Sequence, residues 1–182
     1  MTTLRKNAGF GLLEVLIAML VIAVGLLGIS AVQLRASQAE MESYQRAQAL
    51  LLVDDMANRL RANAAVQDCY VLGNFGIANV GDGATDFAGT GCNAVADADL
   101  VAWHNLLLGA AETLADDTAV GAIIGARGCI DYDNTLFTYR VTVAWQGISE
   151  TFAPTGNTCG ENAYGSELKR RVASSTFRIG TL

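Results

Sequence analysis

Residues 9–32 read GFGLLEVLIAMLVIAVGLLGISAV, a nearly continuous apolar stretch with one charged residue, Glu14, near its start. Arg5 and Lys6 precede the stretch, and residues 15–32 contain neither a charge nor a proline. At ~1.5 Å per residue, a helix over residues 10–32 is about 34 Å long, which is enough to cross a bilayer core of about 30 Å. The stretch therefore predicts a single membrane span. The basic residues before it predict that the remainder of the chain lies outside the cytoplasm.

Glu14 allows three interpretations of this span. A cleaved secretory signal fits the basic start, but the apolar run exceeds the usual ~7–15 residues, and the small-residue site at 36–39 lies in a continuing helical pattern. A plain membrane anchor would tolerate one acid near the helix end. In the third interpretation Glu14 is functional, because a charge at the centre of a membrane helix costs ~2.5–3.5 kcal/mol and calls for a partner. We favour the third.

The residues around Glu14 carry a resemblance. Gly9, Phe10 and the run LLEVL at residues 12–16 resemble the class III signal of type IV pilins and pseudopilins. The resemblance implies that a dedicated prepilin peptidase cuts after Gly9 and N-methylates Phe10. It also implies that Glu14 pairs with the terminal amine of a neighbouring subunit, since opposite charges attract strongly in a low-dielectric helix bundle. Gly11 departs from the threonine that is commoner there, and the helix-kinking proline of many major pilins is absent from the span.

The charge balance argues against general nucleic-acid binding. The formal charge is −6, and without Arg5 and Lys6 the chain keeps 10 basic against 18 acidic side chains. Nucleic-acid binding requires a basic face. The length of 182 residues predicts one globular domain in addition to the span.

Four widely spaced cysteines, Cys69, Cys92, Cys129 and Cys159, predict disulfides in an oxidising compartment such as the periplasm. Four cysteines allow three connectivities, and pairing sequence neighbours, Cys69–Cys92 and Cys129–Cys159, gives the shortest loops. Each bond could add about 3 kcal/mol in the chain-entropy model. A zinc site and free buried cysteines are the alternatives, although the spacing does not suit zinc.

The helix is expected to continue beyond the span. Residues 33–65 contain no proline or glycine, are rich in good helix formers, and place apolar residues at helical spacing. The apolar stripe is wider in residues 47–60 than in 33–45, so the later part is expected to pack on a domain. A coiled-coil stalk is the weaker alternative, because the leucines keep no heptad over several turns.

The remaining sequence predicts a mixed domain. Residues 66–96 are rich in glycine and asparagine and indicate a loop, with one short strand at 69–72. A second helix is expected at 97–115, capped by Asp97 or Asp99. The lone His104 on it is expected to be structural or solvated. Strands are expected at 122–132, 135–146 and 167–179, with Phe137 on the face that packs on the long helix. The bases of the last strand indicate a solvated face or a partner surface (Lys169, Arg170, Arg171 and Arg178).

These elements predict an α+β fold, in which a long N-terminal helix packs on a C-terminal antiparallel sheet with a second short helix. The resemblance identifies this as the type IV pilin fold. It implies a leader at residues 1–9, an assembly helix at 10–32, an amphipathic half at 33–65 and a periplasmic domain at 66–182. No catalytic residue, metal or cofactor is expected.

The resemblance extends more narrowly to minor pilins of the PilV type. Its residues are the span and the segments GARGCIDY (125–132), YRVTVAWQG (139–147) and KRRV (169–172). It implies a minor pilin that primes pilus assembly with other minor pilins, a tip adhesin and the major pilin, at the inner membrane and then in the pilus. Adhesion and twitching motility would follow. A minor pseudopilin of type II secretion is the alternative, because both classes use the same signal.

Overall fold

A computed structural model describes residues 11–82, 87–110, 115 and 123–180. Helix α1 spans Leu12–Ala62 and helix α2 spans Ala94–Leu107; the strands are β1 (Arg127–Asp133), β2 (Thr138–Gln146) and β3 (Arg170–Phe177). Contacts divide the chain into two compact units, Met1–Met41 and Glu42–Leu182. The predicted α+β fold with a long N-terminal helix is confirmed.

The first unit is helical from Leu12, and every side chain from residue 11 to residue 41 is exposed. An 18-residue window of α1 has a mean hydropathy of 2.8, so by length and composition this helix could cross a membrane. Leucine and alanine are its commonest residues, and both are good helix formers. The exposed apolar surface therefore suits a lipid environment.

In the second unit, one face of α1 forms the centre of a hydrophobic core. Val53, Met56 and Leu60 recur at helical spacing and are at most 1 % exposed. They share the core with Leu100 of α2 and Val141 of β2. The packing of α1 in this core thus follows from the wider apolar stripe of residues 47–60.

The sheet is antiparallel with the order β1-β2-β3, so the central strand is β2. Ile130 pairs with Val141 across β1 and β2, and Val141 pairs with Ser175 across β2 and β3. Tyr139, Val141, Val143 and Trp145 are buried on alternate positions, but Thr142 and Ala144 between them are buried as well. The segment between β2 and β3 that carries Cys159 and Tyr164, called the covering segment below, covers this second face. Both residues cluster there with Ala144.

Several predicted boundaries were wrong. Phe137 is 66 % exposed and not in β2, because the Asp133 carboxylate accepts hydrogen bonds from the backbone N–H groups of Thr135 and Leu136 and lengthens the turn. The strand expected at 69–72 is absent; two 3-10 helices, Ala64–Tyr70 and Leu72–Phe75, occupy this region. All four side chains at 69–72 are buried, so the segment never alternates between two faces.

The second helix also begins earlier than predicted. Its cap is Asn93, whose side-chain oxygen accepts from the N–H groups of Val95 and Ala96. Asp97 and Asp99 point to other partners, so their assignment as caps was wrong. Of the residues expected to end this helix, 111–114 lie outside the described part of the chain. The first and last strands are shorter than expected, at Arg127–Asp133 and Arg170–Phe177.

Trp103 joins the helices to the sheet. Its indole N–H donates to the Leu52 carbonyl of α1 at 2.9 Å. The opposite end of the ring lies against Gly128 of β1, where an added Cβ would come within 2.5 Å of the ring carbons and 2.7 Å of Leu107 Cδ1. Gly128 therefore allows the close approach of α2 to β1.

Gly128→Ala should destabilise the second unit by about 1–3 kcal/mol, because the extra methyl group overpacks the Trp103 contact. The free energy of unfolding of the full chain in detergent, followed by denaturant titration, measures this effect. Gly73→Ala is the matched control, since no atom lies within 4 Å of a Cβ there. Equal stability of both variants would contradict the packing role of Gly128.

Candidate assembly surface

Glu14 lies in the first turn of α1. The Glu14 N–H donates to the Gly11 carbonyl at 3.0 Å and the Val15 N–H donates to the same carbonyl at 3.4 Å, which starts the helix. Gly9 and Phe10, the predicted cleavage and methylation residues, lie outside the described residues. The surroundings of Glu14 are therefore described from residue 11 onward.

Among the described residues, the neighbours of the Glu14 carboxylate on the helix surface are apolar. Leu13 and Ile17 beside it are 71 % and 56 % exposed. Within the described residues, the Glu14 side chain has no hydrogen-bond or ion-pair partner. Because a charge in hydrocarbon requires a compensating group, this carboxylate is suited to bind a cation from another chain.

Two disulfides fix the loops of the second unit. Cys69 bonds Cys92 with a Cα–Cα distance of 5.6 Å, and Cys129 bonds Cys159 with a Cα–Cα distance of 5.8 Å. Both sulfurs of the second bond belong to buried residues, whereas Cys92 is exposed. The first bond ties the segment after α1 to the start of α2, and the second ties β1 to the long segment before β3.

A polar cluster reinforces the first of these links. The Asp99 carboxylate of α2 accepts from the Tyr70 hydroxyl at 2.6 Å and from the Asn63 side-chain amide at 2.9 Å. Arg59 of α1 also donates to it at 2.9 Å and forms a second ion pair with Asp55. Burial, and then the hydrogen bond to Asp99, raise the pKa of Tyr70. The hydroxyl therefore stays protonated and remains a donor.

Asp97 and His104 of α2 hold parts of the loop within residues 66–96. The Asp97 carboxylate accepts from the Thr90 N–H at 2.6 Å and from the Thr90 hydroxyl at 2.9 Å. His104 is buried, its Nδ1 accepts from the Gly81 N–H at 3.0 Å, and its ring stacks on Phe87 at 5.5 Å. The structural interpretation of His104 agrees with this environment.

Arg170 is a feature that sequence reasoning missed. The residue is 2 % exposed, although its strand was expected to present its bases to solvent or a partner. Its guanidinium donates to the carbonyls of Asn157 at 2.7 Å, Cys159 at 3.1 Å and Pro154 at 3.3 Å, and it pairs with Glu167. Because a hydrogen bond from the Asn162 N–H and then the contact with Arg170 favour the charged form, the pKa of Glu167 is lowered. Arg170 thus holds the covering segment on the sheet.

Part of α1 in the second unit also remains uncovered. Leu50 and Leu51 are 45 % and 63 % exposed, and Tyr44 is 51 % exposed, on a helix whose other face is fully buried.

No group of three or more His, Cys, Asp or Glu residues suitable for a metal occurs within residues 11–82, 87–110, 115 and 123–180.

The described residues form a long helix whose first part is apolar and exposed, and an α+β second unit. Residues 4–30 match the family model described as the prokaryotic N-terminal methylation motif, and residues 31–99 match the one described as type IV pilin Tt1218. The two matches adjoin and together cover just over half of the chain. No curated protein and no solved structure matches the chain significantly.

The chain belongs to the type IV pilin-like family, and its fold is the type IV pilin fold. This family is structural and not enzymatic. The methylation motif implies processing by a prepilin peptidase in the context of pilus assembly, and the apolar helix fits a membrane anchor.

Proposed function

We propose that this chain is a minor pilin that primes the assembly of a type IV pilus. The Glu14 carboxylate, which has no partner among residues 11–82, 87–110, 115 and 123–180, is the observation that carries the proposal, because it lies in an apolar helix that matches the methylation motif. A charge in this position favours a specific docking step over simple anchoring. The PilV-type resemblance of segments 125–132, 139–147 and 169–172 supports the minor class.

In the proposed mechanism, the prepilin peptidase cuts after Gly9 and N-methylates Phe10. The cut removes Arg5 and Lys6 and creates a positively charged amine at the head of the helix. That amine then pairs with Glu14 of a neighbouring subunit, which sets the register of the two helices. Neither charge is well tolerated alone in the bilayer, so the pairing is both favourable and selective.

The second unit selects the neighbours. With its carboxyl-terminal domain in the periplasm, the subunit joins other minor pilins and a tip adhesin at the bacterial inner membrane. The complex then receives the major pilin, and the subunit enters the pilus. Within the loop of residues 66–96, Asp97 holds Thr90 and the Cys69–Cys92 bond joins the two ends, and these contacts support this role. Adhesion and twitching motility would depend on the resulting pilus.

The alternative is a minor pseudopilin of a type II secretion system. The methylation motif favours it equally, since such subunits use the same signal. The two functions differ in which filament fails when the gene is deleted. Loss of pili supports the first, and loss of protein secretion with intact pili supports the second.

Crosslinking and mass spectrometry of the native envelope test the proposal directly. We expect a mature chain that begins at N-methylated Phe10 and crosslinks to pilin-like subunits. Gly9→Glu should retain the leader and increase the mass by nine residues, whereas Gly11→Ala, two residues away, should be processed normally. A native chain that still begins at Met1, without a methylated phenylalanine, would overturn the proposal.

A further inference from the structure

The segment of residues 147–153, between β2 and the covering segment, presents an unusually exposed aromatic side chain. Phe152 is 94 % exposed. Ile148 of the same segment and Leu168 beside it are 39 % and 42 % exposed. A large apolar side chain displayed this fully, with two further apolar groups, is typical of a contact surface.

The backbone of this segment is well held. The Gly147 N–H donates to the Lys169 carbonyl at 2.7 Å, and the Thr151 N–H donates to the Leu168 carbonyl at 2.9 Å. The Ser149 carbonyl accepts from the Arg171 guanidinium at 2.6 Å. Phe152 is therefore exposed on an ordered segment, which lowers the entropic cost of contact.

The segment is also tied to the residue where the second unit begins. The Ser149 N–H and hydroxyl donate to the Glu42 carboxylate at 3.2 and 3.0 Å. The backbone hydrogen bond from Ser149 is the main reason that the pKa of Glu42 is lowered, so Glu42 stays charged and remains an acceptor. Glu42 follows Val32, the end of the apolar run, by only ten positions. These ten positions belong to α1 and correspond to about 15 Å along the helix, so along the chain the segment held at Glu42 is close to the end of the apolar run.

The charges of this region do not favour an electrostatic partner. Arg171 lies 3.8 Å from Glu42 and offsets its charge. Glu150 is exposed and Lys169 is partly exposed, so the two remaining charges also balance. A contact made here would depend on apolar burial and would be insensitive to the charge of the partner.

We propose that Phe152, Ile148 and Leu168 insert into the headgroup region of the bilayer that anchors the subunit. The proposal rests on membrane anchoring by α1, one part of the proposed function. Phenylalanine and leucine side chains occur on the membrane-facing side of interfacial segments, and tethering makes the contact intramolecular with respect to the anchored chain. The contact would keep the second unit on the membrane until assembly releases it.

Tryptophan quenching in vesicles tests this contact. The mature full chain with Phe152→Trp is reconstituted in phosphatidylcholine vesicles, with or without bromine on the acyl chains near the headgroup. Phe137→Trp is the matched control, because Phe137 is 66 % exposed on the turn before β2 whereas residue 152 follows the end of β2. Trp103 and Trp145 give both variants the same buried background.

We expect brominated lipid to quench Phe152→Trp at least twofold more than Phe137→Trp, with the same result after addition of anionic lipid. Equal quenching of both variants would overturn the contact. An emission shift that appears only at a high number of chains per vesicle would assign the surface to a protein neighbour and also overturn it. Vesicle flotation is measured in parallel: chains that do not float would refute anchoring and the loop contact together, whereas floating chains without quenching refute the contact alone.

Discussion

Glu14→Ala should reduce the amount of this protein in sheared pilus fractions by at least about tenfold, while the amount in the membrane stays unchanged. The variant lacks the carboxylate that would pair with the amine of a neighbouring subunit, but its helix becomes more apolar and remains anchored. A tenfold loss corresponds to about 1.4 kcal/mol, which is modest for a charge pair in a low-dielectric environment. Immunoblots of pilus and membrane fractions measure both quantities.

Two further variants isolate the charge as the cause. Glu14→Gln keeps the size and polarity of the side chain and should fail to assemble like Glu14→Ala. Glu40→Ala removes an exposed acid from the same helix outside the apolar run and should assemble normally. Intact disulfides, checked by mass under non-reducing conditions, show that the second unit is folded. Incorporation of Glu14→Ala at the normal level would rule out the pairing role.

Arg170→Met should lower the free energy of unfolding of the second unit by about 3–5 kcal/mol. Methionine has a similar length, but it leaves the carbonyls of Asn157 and Cys159 without their donor, and each buried acceptor left unsatisfied costs about 1–3 kcal/mol. Loss of the ion pair with Glu167, whose side chain is 31 % exposed, adds little to this. Denaturant unfolding of the full chain in detergent, followed by circular dichroism above 250 nm, measures the loss.

Arg178→Met is the control for this prediction, because Arg178 is an exposed base just beyond the end of the same strand. Surface substitutions of this kind usually change stability by no more than about 0.5 kcal/mol. If the two arginine variants are equally stable, Arg170 does not hold the covering segment on the sheet. A loss of stability that appears only in Arg170→Met agrees with the role of Arg170 in holding the covering segment on the sheet.

The sequence predicted the parts of this fold that depend on local pattern. The long helix follows from residues 12–62, which lack proline and place Val53, Met56 and Leu60 on one face. The order of a second helix followed by antiparallel strands also follows from periodicity. Local pattern could not place Phe137, because the Asp133 side chain competes for the backbone N–H groups that would continue the strand.

The sequence singled out a candidate functional residue only where that residue belongs to a local motif. Glu14 could be recognised because it is a charged residue within an apolar run. Arg170 does not, because its burial depends on carbonyls of Pro154, Asn157 and Cys159, up to 16 residues earlier in the chain. Asp99 was taken for a helix cap because its position in sequence fits one, whereas its three donors come from α1 and the following segment.

The position of Trp103 gives this protein an intrinsic optical reporter. The indole bridges the Leu52 carbonyl and Gly128, so its near-ultraviolet dichroism depends on the docking of α2. Far-ultraviolet dichroism is dominated by the 51 residues of α1 and changes little if α2 detaches. Comparing the two spectral regions would distinguish loosening of the second unit from melting of the long helix, without attaching any dye.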